Sequence, residues 1–263
     1  MQKIHGAALI TGGGRGLGLA FAHEAAQCCS HLILVNMSIE NLMLAKADLE
    51  RLYEVSVHVF VQDLSVPDAA DTLYSKVQAL GIPIAVLINN AGIGQYGPFH
   101  ELPWESHKRL IDLNMIALSH LTHVFLQDMI QRKQGMILNV SSVAAFVPGP
   151  LMASYYASKA FVLSFSLALS SELKDTGVSC TVLCPGPTQT GFMKNQGQDT
   201  WLAKRNLLAT AESVAKLGFE GMLKRKMLVV PGLINNFVVR LSSLVPPTWG
   251  STLLHFLQKR NRA

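Results

Sequence analysis

The chain has 263 residues, 49% of them hydrophobic and 15% charged. That balance supplies a large buried core and excludes wholesale disorder, and the length suits one α/β domain over residues 1–263. The net charge of +5 is unevenly spread: the last acid is Glu220, while residues 221–263 carry Lys224, Arg225, Lys226, Arg240, Lys259, Arg260 and Arg262 and no acid. A basic end on a mildly acidic body marks a local contact surface, and without a nucleic-acid motif no nucleic-acid partner is expected.

In chain order, the first strand, GAALIT, runs straight into TGGGRGLG at 11–18, which opens a helix over 17–28. Glycines there let a backbone approach a phosphate, and a helix N-terminus offers N–H groups and partial positive charge. The second strand, HLILVN, ends in Asn36, Met37 and Ser38, with the first acid, Glu40, already inside a helix over 38–52. A carboxylate at that strand end would select an unphosphorylated ribose. Its lack, with Arg15 in the glycine turn, favours NADP(H), with NAD(H) as the alternative. No leader is visible in MQKIHGAALITGGG, and no apolar run of about eighteen residues occurs.

Further strands are VSVHVFVQD, IAVLINNAG, GMILNVSS, VSCTVLCPG and KMLVVPG, alternating with helices over 67–79, 104–131, 153–174 and 211–223. Near-continuous apolar strands alternating with helices imply a Rossmann-like, doubly wound, mainly parallel seven-stranded sheet, with ligands at the carboxyl edge of its strands. The cysteines, Cys28, Cys29, Cys180 and Cys184, form no CxxC pair, and the nine histidines form no HExxH. Free thiols in a reducing compartment and no metal site are expected.

In SYYASKAF, residues 154–161, Tyr155 and Lys159 are spaced i, i+4 on one helix face. A cation near a phenol, whose ordinary pKa is about 10, favours the phenolate and tunes it for proton transfer. Ser142, ending the strand ILNVSS, can hydrogen-bond a carbonyl beside that phenol. Tyr156, about 100° further round the helix, is assigned to packing or subunit contact.

Together these motifs resemble the short-chain dehydrogenase/reductase family, in its subtype of about 250 residues, over roughly residues 5–192. TGGGRGLG matches TGxxxGxG, DL at 63–64 the acid after the third strand, NNAG at 89–92 the motif after the fourth, and PGPTQT at 185–190 the PG motif. Asn114, Ser142, Tyr155 and Lys159 match the catalytic set. The resemblance implies that Tyr155 is the general acid, Ser142 orients the carbonyl, Lys159 holds the nicotinamide ribose and lowers the phenol's pKa, and Asn114 holds a relay water. It places Gly12, Gly14, Arg15, Gly16, Leu17 and Gly18 around the phosphates and Asn36 and Ser38 at the 2′-phosphate. Asp63 and Leu64 then meet the adenine, Asn90, Ala91 and Gly92 the adenosine side, and Pro185, Gly186, Thr188 and Thr190 the nicotinamide.

The implied activity is reduction of a ketone or aldehyde to an alcohol. The alternative is a nucleotide-binding sensor or scaffold without turnover. A substrate lid is expected over 190–225, with Phe192, Met193, Trp201 and Leu202 as its apolar residues. An apolar, basic helical tail is expected over 233–263, with Ile234, Val238, Leu241 and Val245 near one face. That tail can meet a membrane, cover the substrate cleft or join a homodimer or homotetramer. The location implied is cytoplasmic, with the inner face of a membrane as the peripheral contact.

Overall fold

The computed structural model describes residues 3–190 and 208–242. Nine strands are found among them: β1 (Ile4–Thr11), β2 (Cys29–Asn36), β3 (Ser56–Val61), β4 (Ile84–Asn89), β5 (Gly135–Val140), β6 (Val178–Leu183), β7 (Thr188–Gln189), β8 (Ala209–Thr210) and β9 (Leu228–Val229). The helices between them are α1 (Gly16–Ala26), α2 (Ile39–Leu52), α3 (Ala69–Gln78), α4 (Trp104–Ile111), α5 (Leu118–Gln131), α6 (Ala153–Glu172), α7 (Ala211–Leu223) and α8 (Leu233–Ser242). Seven strands form one parallel sheet in the order β3-β2-β1-β4-β5-β6-β9. The remaining two, β7 and β8, pair with each other, a small element not expected from the sequence.

Strand alternation divides the core between the two faces. In β1, Ala8 and Ile10 point toward α1, α2 and α7, where Phe21, Leu42, Leu49 and Phe219 are buried. Ala7 and Leu9 point the other way, onto Leu73 of α3, Leu121 and Phe125 of α5 and Leu169 of α6. Both faces are covered, which is why the strands read as continuous apolar runs. A polar chain crosses the centre: Asn89 Nδ2 donates to Asn139 Oδ1 at 2.9 Å and to Thr122 Oγ1 at 3.0 Å, and Asn139 Nδ2 donates to Ser166 Oγ at 2.9 Å. These bonds offset the desolvation cost of the two buried amide N–H groups, while Asn89 Oδ1 is buried with no hydrogen-bond partner.

The chain order reverses between β1 and β4, so their connections leave in opposite directions and open a crevice at the carboxyl ends of the strands. The helix expected over 104–131 is interrupted there. Residues Asp112–Ala117 form a π-helical turn between α4 and α5, and Asn114 sits inside it. Such turns recur at functional sites because the extra residue re-aims a side chain.

Within the 190–225 region, Val214, Ala215, Phe219 and Met222 of α7 are buried in the core beside α1. Phe192, Met193, Trp201, Leu202 and Val245 lie outside the described residues. The four cysteines are buried free thiols.

Candidate active site

A cleft of about 940 Å³ follows the carboxyl edge of the sheet. Its floor at one end is the turn between β1 and α1. Gly12 adopts φ +67°, and a Cβ on Gly18 would strike the Gly12 carbonyl. The first turn of α1 carries no acid, and Arg15, its N-cap, makes no side-chain cap. The first turn of α1, with Gly16, Leu17 and Gly18, thus lines the cleft with no side chain of its own capping it. This is a cradle that fits a dinucleotide diphosphate. Thr11 ties the turn to the next loop: its Oγ1 accepts from the Asn90 and Ala91 amides, each at 3.0 Å, while Asn90 Nδ2 donates to the Thr11 carbonyl at 2.9 Å.

Most of the residues expected around the cofactor do line this cleft. They are Gly12, Arg15, Gly16, Leu17, Gly18, Asn36, Asp63, Leu64, Asn90, Ala91, Gly92, Tyr155, Lys159, Pro185, Gly186, Thr188 and Thr190. Gly14 and Ser38 do not. Gly14 is buried beneath Asn36, whose amide a Cβ there would strike. Ser38 is committed as the N-cap of α2, accepting from the Asn41 amide at 3.2 Å and donating to Glu40 Oε2 at 2.8 Å. Met37, between Asn36 and Ser38, lines the cleft instead and is 54% exposed.

At the other end, β5 delivers Ser142 and the first turns of α6 deliver Tyr155 and Lys159. The Tyr155 phenol hydrogen-bonds the Ser142 hydroxyl. Ser142 Oγ also accepts from the Ala144 amide at 3.1 Å and lies 3.5 Å from the Pro185 carbonyl, which fixes its rotamer. Lys159 lies below, its Nζ donating to the Val140 carbonyl at 2.9 Å and standing 5.8 Å from the centre of the Tyr155 ring. Asn114 stands behind the lining. Its Oδ1 accepts from the Ile93 amide at 2.9 Å, and its Nδ2 donates to the Ile93 carbonyl at 2.9 Å and to Ser158 Oγ at 3.0 Å. Both amide protons are thus spent on protein, so Asn114 positions the Gly92–Ile93 backbone against α6.

The electrostatics differ from the expectation that the ammonium lowers the phenol's pKa. Burial pushes the Tyr155 phenol up to about 12, the Ser142 hydrogen bond pulling it down and a charge on Tyr156 pushing it up. Burial also pulls the Lys159 ammonium down to about 8, with Cys184 opposing. The reason is desolvation: both groups lie in a low-dielectric wall where each charged form is disfavoured. The phenol is therefore protonated at neutral pH.

Several lining residues escaped the sequence reading. Tyr156, assigned to packing or subunit contact, lies over Gly149 and forms part of the cleft wall. Phe146, Val147, Met152 and Val239 join it to make the Tyr155 end apolar. Arg109, from the last turn of α4, reaches back over the far end to Asp63. The i, i+4 spacing revealed Tyr155 and Lys159, but no local pattern ties Val239 or Arg109 to the site.

Comparison with known proteins agrees with this geometry. A mouse (Mus musculus) 17-beta-hydroxysteroid dehydrogenase type 3 is 35% identical over 189 residues, 71% of this chain and 61% of the relative. A mouse very-long-chain 3-oxoacyl-CoA reductase is 33% identical over 193 residues, 72% of this chain and 61% of the relative. The match thus spans about three-fifths of the length of these relatives. Among solved structures, a short-chain dehydrogenase from Sphingobium yanoikuyae in complex with NADPH superposes with a TM-score of 0.80 at 28% identity, covering 92% of this chain and 96% of that one. The family model described as short chain dehydrogenase matches residues 6–201, and with the glycine turn, the NNAG loop and the Ser142–Tyr155–Lys159 group in one cleft, the chain belongs to that family.

Proposed function

We propose that the protein is an NADP(H)-dependent oxidoreductase that reduces an apolar ketone or aldehyde to an alcohol. The observation that carries this reading is the Tyr155–Ser142 hydroxyl pair at the apolar end of a dinucleotide-shaped cleft, with Lys159 buried beneath it. The nicotinamide, when bound, supplies the hydride. Ser142, its rotamer fixed by the Ala144 amide, donates to the substrate carbonyl oxygen and polarises it. Tyr155 Oη gives its proton to that oxygen as negative charge develops there, so the oxygen leaves as a hydroxyl. Lys159, its Nζ anchored on the Val140 carbonyl and lining the cleft beside the phenol, holds the nicotinamide ribose. Asn114 keeps the Gly92–Ile93 backbone, and through Ser158 the helix carrying Tyr155, in register.

The lack of a carboxylate at the end of β2, with Arg15 lining the cleft, supports the 2′-phosphorylated cofactor. Solved neighbours are in complex with NADPH and with NAD, which supports a nicotinamide dinucleotide and leaves the choice to these residues. The apolar wall of Phe146, Val147, Met152, Tyr156 and Val239 suits a long acyl or steroid-like carbonyl, the chemistry that the two mouse relatives' names carry. Purified protein is expected to oxidise NADPH faster than NADH in the presence of 3-oxoacyl thioesters or steroid ketones. Cofactor binding with no turnover across such ketones, simple ketones and aldehydes would replace this reading by the sensor reading.

The tail has a role in the same proposal. Leu233 and Ile234 of α8 are 90% and 80% exposed, and Phe237 and Leu241 lie open beside them. Asn235 and Asn236 instead donate to the carbonyls of Pro231 and Val230, which fastens the helix at the cleft mouth, where Val239 lines the wall. No described helix is long and apolar enough to cross a membrane. An open apolar face on an acid-free segment suits peripheral contact with anionic lipid, delivering an apolar substrate directly to the cleft. The full chain is expected to co-sediment with anionic vesicles and to lose that binding on Phe237→Glu; folded protein that ignores such vesicles would refute the membrane role. Trp104 and Ile116, exposed along the α4–α5 edge, suit pairing of two copies there, which sedimentation velocity checks.

A further inference from the structure

The 2′-phosphate end of the cleft has one cation in the position the sequence suggests, Arg15, and Met37 offers no second. The structure brings another from far along the chain. Arg109 leaves the last turn of α4, crosses the cleft, and ends with one guanidinium nitrogen 3.2 Å from Asp63 Oδ2 and 3.3 Å from Met37 Sδ. It thus covers the ends of both β2 and β3.

Asp63 is a fixed post for it. Its Oδ1 accepts from the Ser65 hydroxyl at 2.6 Å and the Ser65 amide at 2.9 Å, which leaves Oδ2 aimed at the arginine. Burial raises the carboxyl's pKa, but the Ser65 hydrogen bonds and the Arg109 charge more than offset it, so the net pKa lies below the usual value and Asp63 is ionised. One guanidinium nitrogen is engaged, and the fork has further N–H donors. The residues lining this end therefore offer Arg15 and Arg109 against Asp63, a net positive balance.

We propose that Arg109 is the second cation of the 2′-phosphate subsite, pre-positioned by Asp63 and taking the place that Met37 leaves without charge. This inference rests on the NADP(H) reading and adds a residue to it. Removing Arg109 has two consequences that reinforce each other. A charge-assisted fork to the phosphate is lost, and the Asp63 carboxylate is left uncompensated beside the phosphate position. A guanidinium matters more than a charge alone, because a planar fork can hold Asp63 and a phosphate together whereas an ammonium is a point charge.

Two probes isolate this subsite without the nicotinamide: adenosine 2′,5′-bisphosphate and 5′-AMP, which differ only in the 2′-phosphate. Calorimetric titration of the full chain is expected to show the bisphosphate binding more tightly. In Arg109→Met that preference should fall by about tenfold or more, with 5′-AMP little changed, and Arg109→Lys should retain part of it. The NADPH-over-NADH ratio of dissociation constants should fall in parallel. If the native chain prefers the bisphosphate and Arg109→Met weakens both probes equally, or neither, Arg109 is not a phosphate ligand and the cofactor reading stands without it. A native chain that does not distinguish the probes overturns both.

Discussion

Replacing Tyr155 by Phe is expected to lower the turnover of carbonyl reduction by about a thousandfold, the range in which a positioned general acid contributes. Dinucleotide binding should persist. The ring stays in the wall between Leu110, Ala144 and Met152, and the change removes one oxygen without opening a cavity. The hydrogen bond to Ser142 is lost with it, but Ser142 keeps the Ala144 amide and so its orientation. The proton inventory also predicts the pH profile of the native enzyme. With the phenol pushed up to about 12 and the ammonium pulled down to about 8, the first group to lose a proton on alkalinisation is Lys159. The kcat/KM for reduction, which reports the free enzyme, should therefore fall as pH rises through about 8. Stopped-flow or steady-state consumption of NADPH checks both statements. A Tyr155→Phe variant with near-native turnover would remove Tyr155 from the proton-donor role.

Replacing Lys159 by Met is expected to abolish most turnover and yet stabilise the fold. Lys159 is 6% exposed, and burial pulls its ammonium down to about 8 from the ordinary 10.5 of a free lysine. A depression of that size corresponds to about 3 kcal/mol of unfavourable burial of the charge. Methionine removes the charge and keeps the apolar stem. It also loses the hydrogen bond to the Val140 carbonyl, a cost of about 1 kcal/mol. The net gain at neutral pH is about 2 kcal/mol, or roughly 4–8 °C in Tm for a chain of this size. The pH dependence has a definite sign. Below about 8 the lysine is charged in both states, and the native protein bears the full penalty. Between about 8 and the unfolded value the native state gives up its proton first, so the unfolded state binds more protons and native stability rises with pH. The advantage of the variant should thus be largest at pH 7 and shrink by pH 10. Urea unfolding at the two pH values measures it. A variant less stable than the native chain at pH 7 would show that the Val140 contact outweighs the buried charge. The implied trade is a familiar one: a site keeps a destabilising buried charge because the chemistry needs it.

The sequence by itself determined what is written locally. The seven strands of the main sheet, the turn at Gly12–Gly18, and the pairing of Tyr155 with Lys159 each follow from period, turn chemistry or i, i+4 spacing within a short window. A ligand site at the carboxyl edge follows from the doubly wound class, whereas the strand order that puts the crevice between β1 and β4 is read from the structure. Tertiary structure decided the rest. The π turn at Asn114 breaks what reads as one continuous amphipathic helix, because the fold must aim that amide at Ile93 and Ser158. The raised phenol and lowered ammonium depend on burial, which hydrogen-bonding types and spacing do not encode. Helix α7 was readable as a helix, but only its packing on α1 places it in the core. Arg109 on Asp63, Tyr156 over Gly149 and Val239 at the cleft mouth join residues far apart in the chain. A side chain's reach across a cleft is set by where whole elements dock, and docking is the sum of many weak apolar contacts spread over both faces of the sheet.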